Sequence, residues 1–135
     1  MFSFHHVALS VQNIEASVSF YSRLGFEPVF KWKAEEGSLS IVHLKQGDAL
    51  LELFCFAESV AAPDSAKALE TDLPRIGIKH FGVRVADIQQ AKESIEKLAL
   101  ATDVNIVNGR TGIDYFFITD PSGILVEVVQ DDRAL

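Results

Sequence analysis

Four side chains carry the chemistry open to this sequence: His6, Glu52, His80 and Glu127. Each histidine opens an apolar stretch, His6-Val7-Ala8-Leu9-Ser10-Val11 and His80-Phe81-Gly82-Val83-Arg84-Val85. Each glutamate sits inside another, Leu50-Leu51-Glu52-Leu53-Phe54 and Leu125-Val126-Glu127-Val128-Val129. The separations are 46 positions (6 to 52) and 47 positions (80 to 127), and the histidines lie 74 apart (6 to 80). The chain therefore repeats one module. A lone strand histidine is more often a hydrogen-bonded core residue than a ligand. A carboxylate in a buried strand is costly unless it is paired or bound to a cation. Matched pairs in two copies favour a metal site for the set of four. Two imidazoles with two carboxylates suit a borderline to hard divalent ion, Zn2+, Ni2+, Co2+, Mn2+ or Fe2+. Such an ion stabilises an enediolate or alkoxide as it forms, and a glutamate able to loosen from it moves a proton beside a carbonyl.

The elements that must position these groups read the same way twice. In module one a strand is expected near 4–12, with Asn13 as helix N-cap and a helix over 14–24. Ile14, Val18, Tyr21 and Leu24 give that helix its apolar stripe, and Gly25 suits a left-handed C-terminal cap. Strands follow near 26–33, 39–45 and 49–56, the last two joined by Gln46-Gly47-Asp48. In module two a strand is expected near 78–86, Asp87 as cap and a helix over 88–99, with Ile88, Ala91, Ile95 and Leu98 on one face. Strands near 103–107, 113–119 and 124–130 complete it, with Asp120-Pro121-Ser122-Gly123 as the final turn. The fold class is α+β, two paired β-α-β-β-β modules. One helix covers one sheet face, and the two open faces can close on each other. Strand parity places His6, Ala8 and Ser10 on one face, and Val7, Leu9 and Val11 on the helix side. His80, Gly82 and Arg84 share the equivalent open face.

At 135 residues, nearly half of them hydrophobic, the chain fits one domain with a sizeable core. A net charge of −7 argues against nucleic acid and anionic membranes as partners. Cys55 is the only cysteine, so no intrachain disulfide can form, in keeping with a reducing compartment. Met1-Phe2-Ser3-Phe4-His5 lacks the pattern of a signal peptide, and no stretch approaches the length of a membrane span. A cytoplasmic protein is expected.

At these residues the chain resembles the vicinal oxygen chelate superfamily, which includes glyoxalase I, methylmalonyl-CoA epimerase, extradiol dioxygenases and the fosfomycin and bleomycin resistance proteins. The resemblance runs through His6-Val7-Ala8-Leu9-Ser10-Val11, Phe20-Tyr21-Ser22-Arg23-Leu24-Gly25-Phe26, Leu51-Glu52-Leu53, Lys79-His80-Phe81-Gly82-Val83 and Phe117-Ile118-Thr119-Asp120-Pro121-Ser122-Gly123-Ile124-Leu125-Val126-Glu127. It implies one domain over 1–135, with module one at about 1–56, a linker at 57–76 and module two at about 77–135, folded as a U-shaped, barrel-like cleft around a metal. The ligand order His, Glu, His, Glu is similar to glyoxalase I (lactoylglutathione lyase). That likeness implies His6, Glu52, His80 and Glu127 as metal ligands, with Glu127 shuttling the proton and Glu52 able to take part. It also implies glutathione as a possible co-substrate, its hemithioacetal with methylglyoxal held at the metal. The linker, with its Pro-Asp-Ser-Ala-Lys stretch, is more similar to that of the epimerases. The alternatives are therefore an epimerase-like isomerase or a non-catalytic binding protein of the bleomycin-resistance type. A dioxygenase fits less well, because it uses two histidines and one carboxylate.

Other residues are weaker candidates. Arg84 shares a face with His80 and suits either an anionic substrate group or a structural carboxylate. Phe54, Tyr115 and Phe117, with Trp32, suit the lining of an apolar substrate pocket, although ordinary packing explains each alone. Lys31, Lys33 and Arg110 are candidates for glutathione carboxylates, each more readily read as a solvated surface charge. His5 has the wrong parity for the site, and His43 reads as a structural strand residue. The partner is a small-molecule substrate, and a homodimer is expected. The 57–76 segment is long enough for the modules to meet within one chain, which favours an intrachain site in a side-by-side dimer.

Overall fold

Asn13 and Asp87 start the two longer helices in the same manner. Both are extended, at φ −140° and ψ 111° for Asn13 and φ −140° and ψ 113° for Asp87. Asn13 Oδ1 accepts from Ala16 N at 2.9 Å, and Asp87 Oδ1 accepts from Gln89 N at 2.9 Å and Gln90 N at 3.0 Å. These bonds satisfy first-turn N–H groups that have no partner inside a helix. The computed structural model describes residues 1–135 and divides into two units, Met1–Asp64 and Ser65–Leu135.

The first unit runs β1 (Val7–Ser10), α1 (Ile14–Arg23), β2 (Glu27–Lys33), β3 (Leu39–Gln46) and β4 (Ala49–Phe56). Its sheet has the order β1-β4-β3-β2, with β1 parallel to β4 and the remaining pairs antiparallel. A 3-10 turn (Asp64–Lys67) spans the boundary, and in the second unit a one-turn helix, α2 (Leu69–Asp72), leads into β5 (Phe81–Arg84), α3 (Ile88–Lys97), β6 (Val107–Asn108), β7 (Asp114–Thr119) and β8 (Leu125–Gln130). The order β5-β8-β7-β6 repeats the first sheet, with β5 parallel to β8. Each unit is therefore an α+β module of the expected β-α-β-β-β pattern. Each sheet is open, and neither closes into a barrel.

Burial follows strand parity. On the helix side of the first sheet, Leu9, Val42, Leu44, Leu51 and Leu53 are buried, while Ala8 and Ser10 are exposed. In the second unit Phe116, Ile118, Val126 and Val128 are buried with Ile88 and Ile95 of α3. Burial of each such side chain contributes about 1.5–3 kcal/mol. The packed face of α1 is Ser17, Phe20 and Tyr21, rotated from the expected stripe, of which Ile14, Val18 and Leu24 are only half-buried. Tyr21 explains the rotation: its ring stands edge-to-face against Phe20 at 5.1 Å and Phe26 at 6.3 Å, drawing that side of the helix inward.

Two further differences from the sequence reading have local causes. The strand expected near 103–107 is only Val107–Asn108. Asp103 has φ +53°, which breaks an extended run, and Val104 is buried with its N–H directed to Glu96 Oε1 at 3.3 Å. The unequal His-to-Glu separations come from the last hairpin. Four residues lie between the paired Lys45 and Leu50, but five between the paired Thr119 and Leu125.

Both helices end in a Schellman motif. Phe26 N bonds Tyr21 O and Gly25 N bonds Ser22 O, each at 3.0 Å, and Leu100 N and Ala99 N repeat the bonds to Ile95 O and Glu96 O. Gly25 takes the left-handed position at φ +95°, where the second unit has Ala99 at φ +53°. A left-handed L-residue costs about 1–2 kcal/mol, partly offset on substitution by the greater freedom of glycine in the unfolded chain. Ala99 is exposed, so its methyl contributes no packing. Ala99→Gly is expected to stabilise the protein by about 1 kcal/mol, raising the melting midpoint by roughly 3 °C, as thermal unfolding followed by circular dichroism will read.

Candidate metal centre and substrate pocket

The parallel pairing of first and last strands brings each histidine to its glutamate. Ala8 is the register partner of Glu52, and Gly82 is that of Glu127. Each histidine stands two residues before the small partner, immediately ahead of its strand. His6 Nε2 lies 3.3 Å from Glu52 Oε2, and His80 Nε2 lies 3.4 Å from Glu127 Oε2. Both glutamates are half-buried on the sheet face that the helix leaves open.

Two donors held about 2.0–2.2 Å from one divalent ion lie about 3.0–3.5 Å apart. Each His–Glu pair meets that spacing within its own unit. No group of three His, Cys, Asp or Glu residues is arranged to hold a metal by itself. The donor geometry is that of two matched pairs.

The surroundings of the pairs differ. His43, read from sequence as structural, is the register partner of Glu52 and places Nε2 3.0 Å from its Oε1. A carboxylate can only accept, so the imidazole N–H donates. The hairpin turn held the signal: pairing of Gln46 with Ala49 across Gly47-Asp48 brings His43 opposite Glu52. His5 is exposed, as its parity suggested, yet it touches His6. It precedes β1, so strand alternation does not govern it, and its Nδ1 is 2.9 Å from His6 Nδ1. That contact occupies the far nitrogen of His6 and leaves Nε2 toward Glu52, an outer-shell arrangement that orients ligand histidines.

In the second unit, Phe117 meets the His80 ring edge-on, with centroids 4.9 Å apart and planes at 82°. His80 Nδ1 is buried without a hydrogen-bond partner. The chain entering His80 is fixed by a buried carboxylate. Asp72 Oδ1 accepts from Arg75 Nε at 2.9 Å, and Lys79 Nζ donates to Asp72 O at 2.9 Å while standing 3.5 Å from Oδ1. Burial pushes the Asp72 carboxyl up, but the Arg75 hydrogen bond and the Arg75 and Lys79 charges outweigh it and hold the group below its usual 3.8.

A cavity of about 470 Å³ opens beside the second pair, lined by His80, Glu127, Tyr115, Phe117, Arg110 and Leu69 among others. Tyr115 and Phe117 stand edge-to-face at 5.6 Å within it. Phe54 lies in the first unit, two residues beyond Glu52 and opposite Ile41. Arg84 is tied elsewhere, its Nη2 donating to Asp131 O at 2.5 Å. Lys31, Trp32 and Lys33 line a separate groove of about 450 Å³ beside Ile14 and Val18 of α1.

Residues 3–128 match the Glyoxalase/Bleomycin resistance protein/Dioxygenase superfamily. The chain belongs to that superfamily. It is 32% identical to a lactoylglutathione lyase of Pseudomonas putida, over 96% of this chain and 85% of the relative. Among solved structures it is similar to a glyoxalase family protein from Enterococcus faecalis, with 25% identity and a TM-score of 0.76 over 94% of this chain and 96% of the other. A lactoylglutathione lyase from Agrobacterium tumefaciens is 26% identical, with a TM-score of 0.65 over 95% and 92% of the two chains. No helix of the chain is long and apolar enough to cross a membrane.

The Asp72 clasp generates a pH prediction. A carboxyl held below its usual value stabilises the fold fully above pH 3.8, and that stabilisation is lost as pH falls through the lowered value. Asp72→Asn is expected to lower the melting midpoint at neutral pH. The gap between variant and parent should narrow steadily in an unfolding series taken below pH 3.8.

Proposed function

We propose that this protein is a metal-dependent lyase or isomerase of the glyoxalase I type. The observation that carries the reading is the matched pair of His–Glu contacts, at 3.3 and 3.4 Å, in a member of this superfamily. His6, Glu52, His80 and Glu127 supply the ligands for a divalent ion such as Zn2+, Ni2+, Co2+ or Mn2+. A bound ion would stabilise negative charge developing on a substrate oxygen beside a carbon that loses its proton. The rest of the chemistry falls to the chain.

Glu127 is the proton carrier. Its Oε2 faces His80, which leaves Oε1 to take a proton from the substrate carbon and return it to the neighbouring one. Glu52 is the second carboxylate and can assist. The cavity beside Glu127 is of a size suited to a small organic substrate. Tyr115 and Phe117 give it an apolar wall that limits water near the transferring proton, and Arg110 offers a guanidinium to a substrate carboxylate such as those of glutathione. The single domain acts as a homodimer in the cytoplasm. Support for dimerisation comes from edge strand β2, where Val29, Phe30 and Trp32 are all exposed.

Two measurements test this. Elemental analysis of the purified protein is expected to find a divalent metal, or uptake of one on addition. Glu127→Gln is expected to keep that metal and to lower kcat on the hemithioacetal of methylglyoxal and glutathione by about 10²-fold or more. A chain that neither carries nor takes up metal refutes the reading, as does an unimpaired Glu127→Gln. Turnover of acyl-CoA esters in place of the hemithioacetal would move the assignment to the epimerases.

A further inference from the structure

The repeat makes Glu52 and Glu127 equivalent, and the residues facing them make them unequal. His43 and Phe117 are 74 positions apart, the same offset that relates His6 to His80. Each is the register partner of its unit's glutamate across the last hairpin, His43 with Glu52 and Phe117 with Glu127. Both oxygens of Glu52 are engaged: Oε1 accepts from His43 Nε2 at 3.0 Å, and Oε2 faces His6 Nε2 at 3.3 Å. The His43 ring is itself braced by Phe30, with centroids 5.4 Å apart. Phe117 has no hydrogen bond to offer. It packs against His80 and leaves Glu127 a single polar contact, through Oε2.

His43 has no counterpart among the four ligands, and it meets Glu52 through Oε1, whereas His6 faces Oε2. Its geometry is that of a group acting on a ligand. A carboxylate free to rotate must be ordered when it binds an ion, whereas one already held by its second oxygen is in place beforehand.

We propose that His43 is a positioning residue: it grips Glu52 by Oε1 so that Oε2 is presented beside His6 as a fixed ligand, and the absence of such a grip in the second unit reserves Glu127 for proton transfer. The proposal rests on the metal-site reading above and adds to it a division of labour between the two carboxylates. The difference is built into the chain as one residue, histidine in the first hairpin and phenylalanine in the second. Because Phe117 also lines the cavity, the same exchange gives the second unit an apolar wall where the first has a hydrogen-bond donor.

The test compares three variants of the full chain. His43→Phe copies the second unit. His43→Gln keeps a donor, because the glutamine amide nitrogen reaches the place of an imidazole Nε2. Phe117→His gives Glu127 the grip that Glu52 has. Affinity for Co2+ is read by competition with a chromophoric chelator, and the visible spectrum of the Co2+-loaded protein reads ligand arrangement. His43→Phe is expected to bind Co2+ about 10–100-fold more weakly, with an altered spectrum, and His43→Gln to recover most of the affinity and the parent spectrum. Phe117→His is expected to bind Co2+ at least as tightly as the parent while lowering kcat on the hemithioacetal. Should His43→Phe fail to fold, His43→Leu makes the same comparison. Parent-like Co2+ affinity and spectrum in a folded His43→Phe or His43→Leu overturn the proposal. So does a folded His43→Gln that binds as weakly as His43→Phe, or a Phe117→His with unchanged kcat. A parent chain that takes up no Co2+ overturns the metal-site reading and this proposal together. A parent that binds Co2+ without turning over the hemithioacetal overturns only the assigned reaction and the Phe117→His arm, and the affinity comparison still decides the role of His43.

Discussion

A glutamate on an inner strand of a sheet covered by one helix has one face available to it. β4 lies between β1 and β3, and β8 lies between β5 and β7, so Glu52 and Glu127 have a neighbouring strand on each side. Beneath them the helix-facing layer is closed by Leu51, Leu53, Val126 and Val128. The carboxylates must project from the open face. There, half-buried among apolar neighbours, each carries a desolvation cost that a partner has to offset. The parallel pairing of first and last strands supplies that partner, because it delivers the histidine ahead of β1 or β5 alongside the glutamate. Capping, register and helix packing all serve this one requirement. A slip of one residue in the pairing would turn Leu51 or Val126 outward and bury the charge against the helix.

Much of this was legible in the sequence, because the repeat gave every inference a second copy against which to read it. Alternation along His6–Val11 and His80–Val85 assigned the open face. Asn13 and Asp87 marked the helix starts by their side-chain chemistry alone. Less legible were features that depend on pairing between elements. The partnership of His43 with Glu52 follows from hairpin register, which a scan along the chain for ligand spacing does not consider. His5 is exposed, as its parity suggested, but its contact with His6 Nδ1 was not legible, because both residues precede the strand that begins at Val7. The extended run expected over 103–107 is interrupted by a left-handed aspartate and by a backbone contact to Glu96, neither of which is visible in local propensity. Arg84 has the right parity for the open face, yet its guanidinium is held by a carbonyl near the C-terminus.

Substrate recognition depends on what the two copies do not share. Basic residues illustrate this. Lys31 and Lys33 line a groove on the helix side of the first unit, whereas Arg110 lines the cavity that also contains Glu127. Of the three cations suggested for substrate carboxylates, only Arg110 is beside a candidate catalytic group. The chain carries a net charge of −7, so an anionic substrate approaches against the overall field. In the proposed reading, a local guanidinium next to aromatic walls then matters more than it would on a basic protein, since it would supply both attraction and orientation where the surrounding field supplies neither.

Duplication also constrains how such a site can divide its tasks. Two identical copies would give two carboxylates with the same freedom, either both gripped or both loose. Proton transfer at a metal asks for different behaviour from each: one ligand that holds the ion steady, and one whose oxygen is available to the substrate carbon. In the proposed reading the asymmetry arises at one position of the β3–β4 and β7–β8 hairpins. Histidine there engages the second oxygen of Glu52, and phenylalanine leaves that of Glu127 open while drying the cavity beside it. The same substitution thus sets both the mobility of the carboxylate and the polarity around it. Both properties bear on proton transfer, because the oxygen that takes the proton must be able to reach the substrate carbon and must not be taken up by another donor.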